Sequence, residues 1–161
     1  MNQKTAMKLF GLLGLLMLLS CGYADRHRNN SSCEQVLVDS LEVRVQDSLF
    51  SNVHYSRSQV LDALTQAQDS QVYYRLLALY GKTFFVSSDY DSILYYNRRV
   101  KEFSRNASQS SESLQSPQWN DVLSDVYNIE GNVWMQLNRP DSAITDYKKA
   151  YEYRLKGKKL H

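Results

Sequence analysis

The strongest constraint on this chain is a phrase it writes twice. Asp91–Val100 reads DSILYYNRRV, and Asp141–Ala150 reads DSAITDYKKA. Each begins Asp-Ser, continues with an aliphatic pair and an aromatic, and closes on two basic residues and a small or β-branched one. A phrase recurring at fixed spacing implies repeated units that bury their apolar faces only against neighbours. Breakers are scarce: two prolines and six glycines, with Gly11 and Gly14 in the first twenty residues. Long stretches without breakers favour helices.

Apolar spacing is helical nearly throughout. Val38, Leu41, Val45 and Leu49 share a face over about 33–50, and Val60, Leu64 and Ala67 over about 57–68. Asp69-Ser70 offers the next start. The segment 71–86 is apolar on more than one face, so it is expected to pack on both sides. Ser87-Ser88-Asp89 breaks it, and Asp89 or Asp91 caps a helix to about Arg105. Serine density marks 104–118 as a loop. Pro117 suits the first turn of a helix reaching about Leu137. Asn138-Arg139-Pro140 forms a turn, and Asp141 is expected to cap the last helix. The pattern predicts six helices in three antiparallel pairs and no strand.

Aligning the last two pairs on Gly81 and Gly131 matches Leu77 with Tyr127, Phe84 with Trp134, Ile93 with Ala143, Asn97 with Tyr147 and Val100 with Ala150. The later unit resembles the tetratricopeptide repeat, a helix–turn–helix with a large residue, Gly, aromatic, Ala, aromatic and Ala at these offsets. In that packing Gly131 sits where paired helices approach too closely for a side chain. Tyr127, Trp134 and Tyr147 fill the spaces between. The earlier unit departs from the pattern at Ile93, Asn97 and Val100, so its helices are expected to sit further apart or tilt. The resemblance is fullest over 124–157, weaker over 74–103 and weakest over 33–68. It implies an all-α fold of antiparallel helix pairs stacked as a short tetratricopeptide-type solenoid, with about three helix pairs over 33–161. The closing Leu155-Lys156-Gly157 brings no polar capping helix. That leads us to expect either a longer parent protein or end-on association, self-association included, through the uncapped last pair.

The leader carries an address. Lys4 and Lys8 precede an apolar run from Leu9 to Leu19, too short for a bilayer span, which needs ~20 apolar residues. It reads as a secretion signal over 1–20. Leu18-Leu19-Ser20-Cys21 resembles the lipobox of bacterial lipoproteins, which implies lipid on Cys21, with palmitate-type acylation, and anchoring in the bacterial cell envelope. Residues 21–32 read as a flexible tether. The tether lacks an acidic run, which favours the periplasmic face. Cys33 is unpaired if Cys21 carries lipid; without lipid, a Cys21–Cys33 disulfide is open. Asp-Ser-aliphatic helix starts also resemble membrane-anchored repeat proteins of Bacteroidetes-type bacteria, where such repeats form the sensory front of longer signalling proteins.

Chemistry is sparse. Without Lys4 and Lys8 the chain has 17 basic and 17 acidic residues, so no electrostatic footprint for nucleic acid exists. His27, His54 and His161 stand apart from any catalytic or metal-binding spacing. Glu112, Asp121 and Asp125 could meet in space, although carboxylates on helix faces usually serve solvation. We therefore expect no enzyme, no cofactor and no metal. The repeat resemblance implies a groove for a protein or peptide partner, lined by first helices at Arg75, Lys82, Phe85, Asp125, Asn128, Asn132 and Met135. A glycan-binding outer-membrane lipoprotein is the alternative, because twelve tyrosines and two tryptophans could stack on sugars.

Overall fold

The computed structural model of the chain describes residues 34–109 and 117–159. The leader, the tether, Cys21, Cys33, His27, Glu112 and His161 lie outside the described residues. The chain divides into two compact units, 1–37 and 38–161. The first is described only over 34–37, which are helical, and the second carries the helix packing. Among the described residues every regular element is a helix: α1 (34–48), α2 (Val53–Gln66), α3 (Ser70–Lys82), α4 (Tyr90–Gln109), α5 (Pro117–Gln136) and α6 (Pro140–Lys159).

Side-chain caps set the starts. The Asn52 carboxamide accepts from the Tyr55 amide at 3.1 Å, which opens α2 before the expected Arg57. Asp69 accepts from the Gln71 and Val72 amides. Asp89, rather than Asp91, accepts from the Ser92 amide at 3.1 Å. Each cap satisfies amides that have no partner within the helix. The expectation for Asp141 needs correction. Because α6 begins at Pro140, Asp141 lies inside the first turn. There its charge favours the positive end of the helix dipole instead of capping it.

The repeated phrase returns as a repeated turn. Ser88 and Asn138 both take the left-handed conformation, with φ of 54° and 57°. After each, the chain closes the same two bonds. Ser88 N donates to Phe85 O and Asp89 N to Phe84 O; Asn138 N donates to Met135 O and Arg139 N to Trp134 O. This is the Schellman arrangement, which satisfies the last carbonyls of a helix. Before the first turn, α3 ends at Lys82, short of the expected Val86. Thr83 is buried and its hydroxyl donates to Tyr80 O at 2.7 Å. From α2, Arg57 also donates to Thr83 O. These bonds compete for the carbonyls that would extend the helix, and the chain tightens to three-residue turns.

At its other end α4 runs further than expected, to Gln109 instead of about Arg105. Ala107 is buried beside Trp119, Phe103 lies 5.5 Å from the Trp119 ring, and Trp119 Nε1 donates to Ser104 Oγ at 3.1 Å. Tertiary packing overrides the weak helix preference of the serines.

The apolar interior forms successive clusters. Val38, Leu41, Val45, Val60, Val72, Leu76 and Leu79 join α1, α2 and α3. Leu77, Val100, Trp119, Leu123 and Val126 join α3, α4 and α5. Because α3 contributes Leu76 and Leu79 to one cluster and Leu77 to the next, it packs on both sides as its sequence predicts. Ile93, Ile129 and Val133 form a third cluster. Among α2–α6, each helix packs on the next and α3 also meets α5.

The glycines mark close approach. A Cβ built on Gly131 would stand 2.4 Å from Tyr147 Cε1. One built on Gly81 would stand 3.0 Å from Tyr96 Cβ. Despite Ile93 and Val100, the α3–α4 approach is therefore also tight at its glycine. Asn97, in the place of Tyr147, is fully buried and donates to Val126 O at 3.2 Å. It links one pair to the next instead of filling its own.

Candidate functional site

Three helices place one face each around a cavity of about 270 Å³. From α1 come Asp39, Glu42 and Gln46; from α3, Arg75, Ala78, Leu79 and Lys82; from α5, Gln118, Asp121, Val122, Asp125, Val126 and Ile129. The spacing has one origin. Asp39, Glu42 and Gln46 are three and then four residues apart, as are Arg75, Ala78 and Lys82, and Gln118, Asp121 and Asp125. Three-and-four spacing keeps side chains on one helix face. Leu79, Val126 and Ile129 are buried beneath it and form an apolar floor.

The walls are charged. Arg75 is only 7% exposed, and its Nη2 donates to Asp39 Oδ1 at 2.7 Å and to Glu42 Oε2 at 3.1 Å. Its Nε is buried without a partner. Burial pushes the Glu42 carboxyl above the usual glutamate range; Arg75 pulls it back, and the charges of Asp39 and Asp125 add to the rise. At the rim, Arg154 of α6 reaches Asp125 at 3.1 Å and Asp121 at 3.9 Å. Its Nε donates to Ser124 Oγ, which itself donates to Ala150 O. Lys82 makes no ion pair among the described residues.

Of the residues expected in a groove, the cavity gathers Arg75, Lys82 and Asp125. The others lie elsewhere. Phe85 packs beside Ile93 and Ile129. The Asn132 carboxamide accepts from Tyr147 Oη at 2.8 Å, so it faces its own partner helix. Asn128 and Met135 are exposed on α5, outside the cavity lining. Alignment on the glycines carries Arg75–Lys82 to 125–132, whereas α5 lines the cavity from Gln118 to Ile129. α5 is 20 residues long against 13 for α3, with the additional length divided between the two sides of its glycine. On α5 the groove lies toward the N-terminal end of the helix, a shift between packed helices that offset counting cannot register. Asp39, Glu42, Gln46 and Gln118 were missed, although their spacing was readable. Asp121 and Asp125 do come together, with Arg154 between them.

A second charged cluster lies across α4, α5 and α6. Lys101 Nζ donates to Glu130 Oε2 at 2.6 Å, with the glutamate side chain 4% exposed. Burial raises the Glu130 carboxyl above its ordinary range, against the pull of Lys101. The Tyr127 ring stacks on Tyr153 at 5.7 Å, beneath Lys101 and Lys149. Burial and the neighbouring Tyr153 push its hydroxyl up to about 12. Beside it, Trp134 Nε1 donates to Asp146 at 2.9 Å. Most of these groups are engaged with one another; Trp134 and Asp146 also border an open surface hollow with Asp141, Ser142 and Thr145.

Among the described residues, no cluster of three or more His, Cys, Asp or Glu is placed to hold a metal ion, and no helix is long and apolar enough to cross a membrane. His54 is exposed on α2. No family model, curated protein or solved structure matches this chain.

Proposed function

We propose that the chain is a lipid-anchored protein-interaction module of the bacterial cell envelope. It acts as a scaffold or adaptor and forms the sensory front of a longer signalling protein. Its helix pairs form a short tetratricopeptide-type solenoid, and the first helices of the pairs hold a peptide or partner helix. In this reading Cys21 carries the lipid, the tether lifts the repeats from the membrane, and the module performs no reaction of its own.

The observation that carries the proposal is the cavity. α1, α3 and α5 each present residues at the same three-and-four spacing to one opening. The neighbour-to-neighbour packing, the twin turns at Ser88 and Asn138, and the Gly131–Tyr147 approach support the repeat reading. The glycan-binding alternative has no comparable support, since no aromatic ring lines the cavity.

A photo-crosslinking residue at Gln118, on the cavity wall, tests the groove in intact cells. A discrete protein adduct is expected there, and none from the same residue at the exposed Arg98 of α4. Equal adducts at both positions would refute the groove. For the anchor, radiolabelled palmitate should enter the parent and not Cys21→Ala; label in both would overturn that assignment.

A further inference from the structure

We infer that the groove selects an extended peptide segment carrying a basic side chain beside an apolar one. This deepens the reading of the cavity as a peptide site and rests on it. Charge comes first. The lining holds four carboxylates, Asp39, Glu42, Asp121 and Asp125, against two cations, Arg75 and Lys82. The two carboxylate pairs are not equally committed. Asp39 and Glu42 are engaged by Arg75, whose side chain is 8% exposed. Asp121 and Asp125 are answered only by Arg154 from the rim, and all three side chains are about half exposed. Exposed pairs of this kind contribute little, so an entering cation displaces Arg154 at small cost.

The geometry favours a cation further. Glu42 and Asp125 stand on different helices, and the charge of Asp125 disfavours ionised Glu42. A positive group between them relieves that repulsion. An acidic segment would instead meet four carboxylates. Arg75 adds an independent requirement: its Nε is a buried donor without an acceptor. A buried donor left unmade is costly, so a shift of the Arg75 side chain that lets it meet a ligand carbonyl oxygen is stabilising. Peptide backbone supplies such a carbonyl alongside the basic side chain. Leu79, Val122 and Ile129 offer apolar surface for the neighbouring residue. Ligand pockets run from roughly 300 Å³ upward, so a cavity of this size takes one or two side chains rather than a globular surface.

Selection of random peptides displayed on phage, against the full-length protein in detergent micelles, tests this. The expected consensus places Arg or Lys next to Leu or Ile. A synthetic peptide of that consensus should bind the double variant Asp121→Asn/Asp125→Asn at least about tenfold more weakly, and bind Arg98→Ala, on the exposed face of α4, as well as the parent. Both variants change exposed or half-exposed groups; unchanged circular dichroism and melting keep any loss from being unfolding. An acidic consensus, or undiminished binding by the double variant, overturns the basic-segment inference and leaves the groove standing. Absence of any enrichment over Gln118→Trp, which fills the cavity from its exposed edge, sinks the groove as well.

Discussion

Gly131→Ala puts one methyl group where the α5–α6 packing has no room for it. In an exposed helix the same change stabilises by about 1 kcal/mol, because alanine loses less backbone freedom on folding. At Gly131 the new carbon would stand 2.4 Å from Tyr147 Cε1, 2.6 Å from Cδ1 and 2.9 Å from Cζ. The ring must swing away. It then loses its 2.8 Å bond to Asn132, about 1 kcal/mol, and overpacking adds roughly 1–3 kcal/mol. Offset by the helix gain, the net loss is about 1–3 kcal/mol, a Tm lower by about 2–4 °C for each kcal/mol. The diagnostic is a double-mutant cycle in urea or thermal denaturation. In a Tyr147→Ala background the obstruction is gone, so Gly131→Ala should now stabilise, by up to about 1 kcal/mol. Equal effects in the two backgrounds would refute the close-approach argument.

The twin turns predict gains. Ser88→Gly should raise stability by roughly 1 kcal/mol, since a non-glycine residue is strained at positive φ; Asn138→Gly should gain less, because asparagine tolerates that region. Urea midpoints decide it, and a loss at both positions would contradict the left-handed turns. Glu130 predicts a pH dependence. Its folded pKa is raised by burial, so its contribution to stability is fully present below the ordinary glutamate value and is lost as pH rises through the raised one. The stability of the parent relative to Glu130→Gln should therefore increase as pH falls across that window; a flat difference would mean the carboxylate is not desolvated. Asp89 runs the other way: bonds from Ser92 lower its pKa, so its contribution is lost as pH falls through that lowered value.

Much of the fold was legible because it is written in local terms. Helical spacing, the scarcity of breakers, and caps such as Asp69 and Asp89 act over a few residues, so sequence specifies them directly. The Gly131–Tyr147 approach was legible too, since a glycine in a helix otherwise rich in large residues marks a steric demand. The misplacements share a cause. The serines of 104–109 favour loop by themselves, and only Trp119, brought in from α5, holds them helical. Val86 belongs to a helical pattern that Arg57 of α2, bonded to Thr83 O, helps to interrupt, together with the bond of the Thr83 hydroxyl to Tyr80 O.

The candidate groove divides the same way. Its three-and-four spacing on Asp39, Arg75 and Gln118 is present in the chain, but which turns of α1, α3 and α5 face one another depends on how far the helices slide past one another when they pack. Sequence alone determined the helices, their order and the repeated turn, because these are set by side-chain size and backbone preference within one or two turns. Tertiary structure alone decided the register between helices. It thereby left Asp121 and Asp125 at the opening with Arg154, buried Arg75 against Asp39 and Glu42, and turned Asn132 inward to Tyr147. Register depends on the fit of whole faces, and no short stretch of residues encodes that fit.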